Sequence, residues 1–304
     1  MASIEESVDV VVLQRVVDWM DGIPDFKRGH ASDSLFVAEG YLGDRKASDK
    51  DELFLLTLDV TFWYWIDDRT DESLHEQRSR VDWAALFASI DAGLAQPSTP
   101  EAVYLARMAA ELERRSPTRM DFDWWLTSAT NTLRAFHAGE QISRTRHAPD
   151  FVDYLETGSW SSTVRNILAT MSILYRMNWV NRRQNPDLAD LERYLGLVAR
   201  LENDAYGFEK ERREGCLANA VLLVESYMTT ARAAEFVVAQ KAAYESLLGR
   251  GLARLSPADP FVQFTSAVLE AHRQWYHRRP PRYEQGAELQ PSRGVGAEAD
   301  AVGH

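Results

Sequence analysis

The sequence predicts an all-α, single-domain helical bundle, and three observations carry that prediction. Gly and Pro are sparse between positions 50 and 250 while Leu, Ala, Glu, Arg and Met are plentiful, so intrinsic propensity favours helix over most of that length. No Gly/Ser-rich linker and no repeat of fixed period divides the 304 residues,. With 45% hydrophobic residues, the chain can bury one large core,.

Helices are expected over about 7–20, 33–42, 50–68, 99–116, 121–145, 150–156, 159–178, 187–213, 216–249 and 258–277. The segment at 50–68 is apolar nearly all round, as a helix buried inside a bundle should be. Pro97-Ser98-Thr99-Pro100-Glu101 reads as a loop feeding the start of the next helix, and Ser256-Pro257-Ala258-Asp259-Pro260 does the same for the last one,. The domain is therefore drawn over 1–284. The tail at 285–304 has Gly, Pro, Glu and Ala and no aromatic residue, too little apolar surface to offset its ordering entropy, and is expected to be disordered.

The net charge of -12, from 46 acidic against 34 basic residues, argues against binding nucleic acid or an anionic membrane, since no long basic run offsets it. An anionic substrate would then need a local positive site or metal ions. The single cysteine, Cys216, excludes an intrachain disulfide and fits a reducing compartment,. The acidic first residues lack the basic start of a secretory signal, and no stretch is long and apolar enough to span a bilayer. A cytoplasmic protein without membrane insertion is the expectation.

Two acidic segments stand out. In the first, Asp67, Asp68, Asp71 and Glu72 arrive within six residues at the end of the aromatic-rich helix that carries Phe62, Trp63, Tyr64 and Trp65. Acids at a helix C-terminus repel one another and face a dipole that is already negative, so something cationic should neutralise them. Taken alone, the segment also reads as a solvated acidic turn. In the second, Asn203, Gly207 and Glu211 are spaced i, i+4, i+8 and face one way, with Lys210 beside them able to reach an anion,. Asn and Glu oxygens suit Mg²⁺, and Gly207 offers room for a water. Taken alone, this stretch is equally the wet side of an amphipathic helix.

Read in order, Trp65-Ile66-Asp67-Asp68-Arg69-Thr70-Asp71-Glu72, then Asn203-Asp204-Ala205-Tyr206-Gly207-Phe208-Glu209-Lys210-Glu211, then Trp275 through Arg282-Tyr283, the chain resembles the bacterial class I terpene synthases. That family carries a DDxxD(E) motif, a later NDxx(S/T/G)xxxE motif commonly ending in Lys-Glu, and an Arg-Tyr pair near the C-terminus. The resemblance spans positions 7 to 284 and implies a helical bundle of the class I terpenoid synthase type with a central active-site cavity. It implies that Asp67 is the principal metal ligand with Asp68 and Asp71 in support, that Asn203, Gly207 and Glu211 serve a further ion, and that three Mg²⁺ bind with the diphosphate. Lys210, Arg282 and Tyr283 would contact diphosphate oxygens, and a homodimer is the implied assembly.

Family members also carry a Tyr-Leu-x-x-Arg segment whose Arg senses the diphosphate. The matching stretch here, Tyr154-Leu155-Glu156-Thr157-Gly158-Ser159-Trp160, has no Arg. A guanidinium fork to phosphate is a strong and specific contact, so Arg165, Arg144 and Arg146 are candidate substitutes.

The implied reaction ionises a prenyl diphosphate and cyclises the carbocation, with C20 slightly favoured over C15. The cation must be shielded from water, and aromatic faces can stabilise it. Phe62, Trp63, Trp65, Trp160, Tyr206 and Trp275 are the candidate cavity residues, the bland alternative for each being ordinary core. Tyr276 and Tyr283 are candidates for positioning through their hydroxyls. His272 and His277 make no metal-binding spacing and read as surface or loop residues. The competing readings are a chain-elongating prenyltransferase, which would need a second Asp-rich motif, and a catalytically inactive helical module whose acidic patches bind a partner.

Overall fold

The computed structural model describes residues 10–43, 50–74, 76 and 78–277. Among them are thirteen helices and no strand. In chain order these are α1 (Val10–Trp19), α2 (Arg28–Leu42), α3 (Lys50–Ser73), α4 (Trp83–Asp91), α5 (Pro100–Arg115), α6 (Arg119–Thr145) and α7 (Phe151–Ser161). They continue with α8 (Val164–Leu174), α9 (Trp179–Arg182), α10 (Pro186–Glu214), α11 (Ala220–Glu225), α12 (Thr230–Leu252) and α13 (Pro260–His277). The expected tail at 285–304, together with Arg282 and Tyr283, lies outside the described residues.

Helix starts follow side-chain chemistry. Thr99 caps α5 by accepting from the Ala102 amide with Pro100 in the first turn, and Asn185 caps α10 through the Asp187 amide with Pro186 behind it. Both combine a side-chain acceptor with a residue that has no amide hydrogen to leave unpaired. α3 and α8 form the centre: every residue of α8 is buried, and α3 buries Leu55, Leu56, Leu58, Phe62, Trp65 and Ile66. Around them α10 packs along α12, α3 against α2, and α13 against α2.

The structure departs from the sequence expectation in several places: α2 starts at Arg28 and not at 33, the helix expected over 159–178 is confined to α8, and α9 is an added short turn of helix. α3 does not stop at 68 but runs through the acids to Ser73, because cations meet them from outside the helix. Lys27 bonds Asp68 at 2.7 Å and Glu72 at 2.9 Å, Arg80 also pairs with Glu72, and Arg144 donates to the Ser73 carbonyl at 2.7 Å. α4 was not expected; it is nine residues long, started by Asp82 accepting from the Ala85 amide. α7 continues through Gly158, whose helical cost of about 1 kcal/mol is small, and the chain breaks instead at Thr163, with φ of 64°. Finally, the single helix expected over 216–249 is two, α11 and α12, separated by a turn after Ser226.

Candidate active site

A cavity of about 180 Å³ lies between α2, α3, α6, α7, α10 and α13. Its polar end collects side chains from both acidic segments: Asp67 and Asp71 from α3, and Arg200, Asn203, Lys210 and Glu211 from α10. The two segments touch directly, since Lys210 Nζ donates to Asp71 at 3.3 Å although the residues are 139 positions apart. Lys210 also pairs with Glu214 at 2.9 Å. Burial pulls its ammonium down, but the charges of Asp71 and Asp67 outweigh that and hold it well above the ordinary lysine value,.

The carboxylates at this end are electrostatically unsatisfied. Burial and the neighbouring Asp67 charge push Asp71 up to about 7, and burial pushes Glu211 up to about 8 against the pull of Arg200. Glu211 Oε2 is buried without a hydrogen-bond partner. Asn203 Nδ2 donates to the Tyr276 hydroxyl at 2.9 Å. Among the described residues no three His, Cys, Asp or Glu side chains stand close enough to make a metal site alone. Mg²⁺ keeps several waters and takes one or two carboxylates plus substrate phosphates in place of a full protein cage. With an orphaned carboxylate oxygen and hard oxygen donors on two facing helices, the residues present fit that ion. Gly207 sits buried between Asn203 and Glu211 on the same helix and contributes no oxygen.

Asp68 does not join them. It leaves the cavity for α2, where His30 Nε2 lies 2.9 Å away and Lys27 2.7 Å away. Burial alone would raise its carboxyl, but these two partners hold it well below the usual carboxylate range. The reason is helical phase: neighbours in a helix point roughly 100° apart, whereas residues four apart share a face. Asp67 and Asp71 therefore look inward and Asp68 sideways.

The same phase sorts the aromatic residues. Trp63, Tyr64 and Val60, one to two turns before Asp67, line the cavity with Phe136, Trp275 and Tyr276. Phe62 and Trp65 lie roughly 140–160° around α3 from Asp67 and are core instead. Phe62 packs at 4.7 Å from the Tyr104 ring, and the Trp65 indole donates to the Pro24 carbonyl at 2.9 Å. Trp160 lies off the cavity under the Arg165 guanidinium, 3.4 Å from its ring, and Tyr206 stands behind the wall, stacked on Tyr276 at 4.5 Å.

None of the candidate substitute arginines reaches the cavity. Arg165 is buried against Glu192 at 3.1 Å and Ser159 at 3.1 Å, Arg144 bonds Glu140 at 2.7 Å, and Arg146 is exposed beyond the end of α6. His272, expected at the surface, sits in the cavity wall with Nε2 3.2 Å from the Tyr41 hydroxyl. It shares a helix face with Trp275, three residues on, a relation that acquires meaning only once α13 is seen to close the cavity. Arg200 escaped because nothing in its local sequence distinguishes it from a solvent-facing arginine.

A family model described as "Terpene synthase family 2, C-terminal metal binding" matches residues 60–242. Among solved structures, 2-methylisoborneol synthase from Streptomyces coelicolor A3(2), determined with Mg²⁺ and geranyl-S-thiolodiphosphate, superposes with a TM-score of 0.67 at 16% identity, covering 90% of this chain and 92% of that one. Linalool/nerolidol synthase from Streptomyces clavuligerus gives a TM-score of 0.69 at 18% identity, covering 87% and 94%. A stretch of 121 residues is 25% identical to the chloroplastic 9-beta-pimara-7,15-diene synthase of Oryza sativa subsp. japonica; it covers 40% of this chain but only 14% of the rice protein.

Proposed function

From the premise that the chain belongs to terpene synthase family 2 and has the class I terpenoid synthase fold, we propose that it is a Mg²⁺-dependent cyclase converting a linear prenyl diphosphate to a cyclic terpene. The observation that carries this is the meeting of two remote acidic segments, through Lys210 and Asp71 at 3.3 Å, at the mouth of a cavity walled by aromatic rings.

The allylic C–O bond breaks heterolytically. Its electron pair leaves with the diphosphate, and the prenyl chain keeps the positive charge until it loses a proton or captures water. Asp67 and Asp71 on α3, with Asn203 and Glu211 on α10, would hold the metal, three ions being the expected number. Bound Mg²⁺ supplies Lewis-acid stabilisation to oxygens that gain charge on departure. Lys210, held protonated, donates to those same oxygens, so its charge is already in place when the leaving group forms. Arg282 and Tyr283 are proposed to add further contacts from beyond the described residues. Trp63, Tyr64, Phe136 and Trp275 present ring faces or edges to the chain, where cation–π attraction favours the cation and the packed wall excludes solvent,. Asp68 serves by locking α3 to α2.

The volume of about 180 Å³ is below the roughly 300–1,000 Å³ of ordinary ligand pockets. A volume this small favours a chain shorter than the C20 expected from sequence, C15 being the other length proposed.

The test is incubation of the pure protein with C10, C15 and C20 diphosphates, with and without Mg²⁺. A cyclic hydrocarbon or alcohol formed only with Mg²⁺, and best from C15, is the expected result. A longer diphosphate would instead mark a prenyltransferase, and unchanged substrate throughout would leave a helical binding module. Light scattering of the same sample checks the proposed homodimer.

A further inference from the structure

α7 carries no arginine at the polar end of the cavity. Gly158 stands four residues after Tyr154, the place at which a Tyr-Leu-x-x-Arg segment has its Arg, and it lines the cavity as a bare backbone. The space beside it is not empty. A Cβ built on Gly158 would lie 3.1 Å from Arg200 Cγ, with the Tyr154 ring carbons next at 3.8 and 3.9 Å. Arg200 arrives there from the facing helix, one turn before Asn203, and lines the same cavity as Asn203, Lys210 and Glu211.

Its head group is held in a defined orientation. Nε donates to the Tyr154 hydroxyl at 2.9 Å and lies 2.9 Å from Asp204 Oδ1, while Nη2 donates to the Ala218 carbonyl at 2.5 Å. The remaining nitrogen, Nη1, has no hydrogen-bond partner among the described residues. A planar fork fastened on one side is pre-organised to offer its free N–H groups to an anion.

We propose that Arg200 supplies, from α10, the guanidinium contact to the substrate diphosphate that α7 lacks, with Gly158 providing the room. The cation has in effect moved from one wall of the cavity to the other. This rests on the reading of the site as a prenyl diphosphate site. It differs from a purely structural role, in which Arg200 only neutralises buried Asp204, because neutralisation needs a positive charge and not a free Nη1.

The experiment is calorimetric titration of inorganic diphosphate into the full chain with excess Mg²⁺, using wild type, Arg200→Lys, Arg200→Gln and the exchange variant Gly158→Arg/Arg200→Gln. Arg200→Lys keeps a charge beside Asp204 and is expected to lower the thermal midpoint by no more than the lost Tyr154 and Ala218 bonds while losing about tenfold or more in diphosphate affinity, the size of one charge-assisted hydrogen bond. The exchange variant, which returns the guanidinium to α7, is expected to recover most of that loss and decides the matter if Arg200→Lys proves unstable. Wild-type binding matched by Arg200→Lys, or an exchange variant that folds and stays as weak as Arg200→Gln alone, overturns the assignment of Arg200. Absence of binding by wild type in Mg²⁺ instead overturns the site reading itself, and the two failures are thereby separate.

Discussion

Asp59 is the buried group whose behaviour is most sharply set by the structure. It lies two turns before Asp67 on α3 and is 2% exposed. Its carboxyl accepts from the Trp63 indole at 3.1 Å, from Asn166 Nδ2 at 3.0 and 3.2 Å, and from the Thr170 hydroxyl at 2.5 Å. Burial pushes it up to about 7, from an ordinary value of 3.8, and these donors only partly pull it back. With the folded value above the unfolded one, the native state holds a proton that the unfolded chain has lost, so stability falls as pH rises through that window. Between about pH 5 and pH 7 the unfolded carboxyl is ionised and the native one largely is not, and at about 1.4 kcal/mol per pH unit the native state loses about 2 kcal/mol. Asp59→Asn cannot ionise but keeps an oxygen for the Trp63 indole, while every other titrating group is common to both proteins. Urea unfolding followed by tryptophan fluorescence, in chelator at both pH values, should therefore show the variant gaining on wild type by that amount as pH rises. A gap between the two proteins that stays constant with pH refutes the reasoning.

Asp67→Ala and Asn203→Ala should each abolish turnover with the thermal midpoint nearly unchanged, because neither side chain is part of the buried core; retained turnover in both removes the metal assignment. Diphosphate binding by calorimetry should disappear in chelator, since Asp67, Asp71 and Glu211 outnumber Lys210 and Arg200 at the polar end, and equal affinity without Mg²⁺ would contradict this. Phe62→Ala should cost about 3–5 kcal/mol in urea unfolding and leave the product pattern of the folded fraction unchanged, whereas Trp63→Phe should alter that pattern; the opposite assignment of effects would mean the wall has been misidentified. Gly196→Ala would bring a Cβ to 2.4 Å from the Ser159 carbonyl oxygen, forcing α10 off α7 at a cost of about 1–3 kcal/mol, and an unaltered unfolding midpoint would show that the two helices separate freely.

The all-helical architecture was legible because propensity and apolar patterning agree over long segments. α10, twenty-nine residues from a Pro-led start to a Gly215 stop in the left-handed conformation at φ 76°, illustrates how strong such signals are. α4 was not legible: nine residues carry too few turns for a period to emerge, and it is secured by Asp82 and by the Trp83 indole donating to Glu140 at 2.6 Å, a contact 57 positions away. The end of α3 was misplaced for a related reason. A run of acids looks like a helix stop until the cations that quench it are known, and Lys27, Arg80 and Lys210 come from three other parts of the chain.

Within the site, helical phase is the information the sequence carries. Counted from Asp67, it places Val60, Trp63 and Asp71 on one face and sends Phe62, Trp65 and Asp68 elsewhere, without any coordinates. Phase cannot say which helix faces α3, and so it could not find Arg200 or His272. Those two became significant only when α10 and α13 closed around the same cavity. The missing arginine of α7 shows the limit most clearly, for a local motif records which residue occupies a position, whereas an anion responds to where the charge ends up. A cation entering from α10 at Arg200 can meet the same oxygens as one entering from α7 at position 158, provided one helix yields volume where the other spends it. The Cβ that Gly158 lacks would lie 3.1 Å from Arg200 Cγ, and that is the exchange of volume.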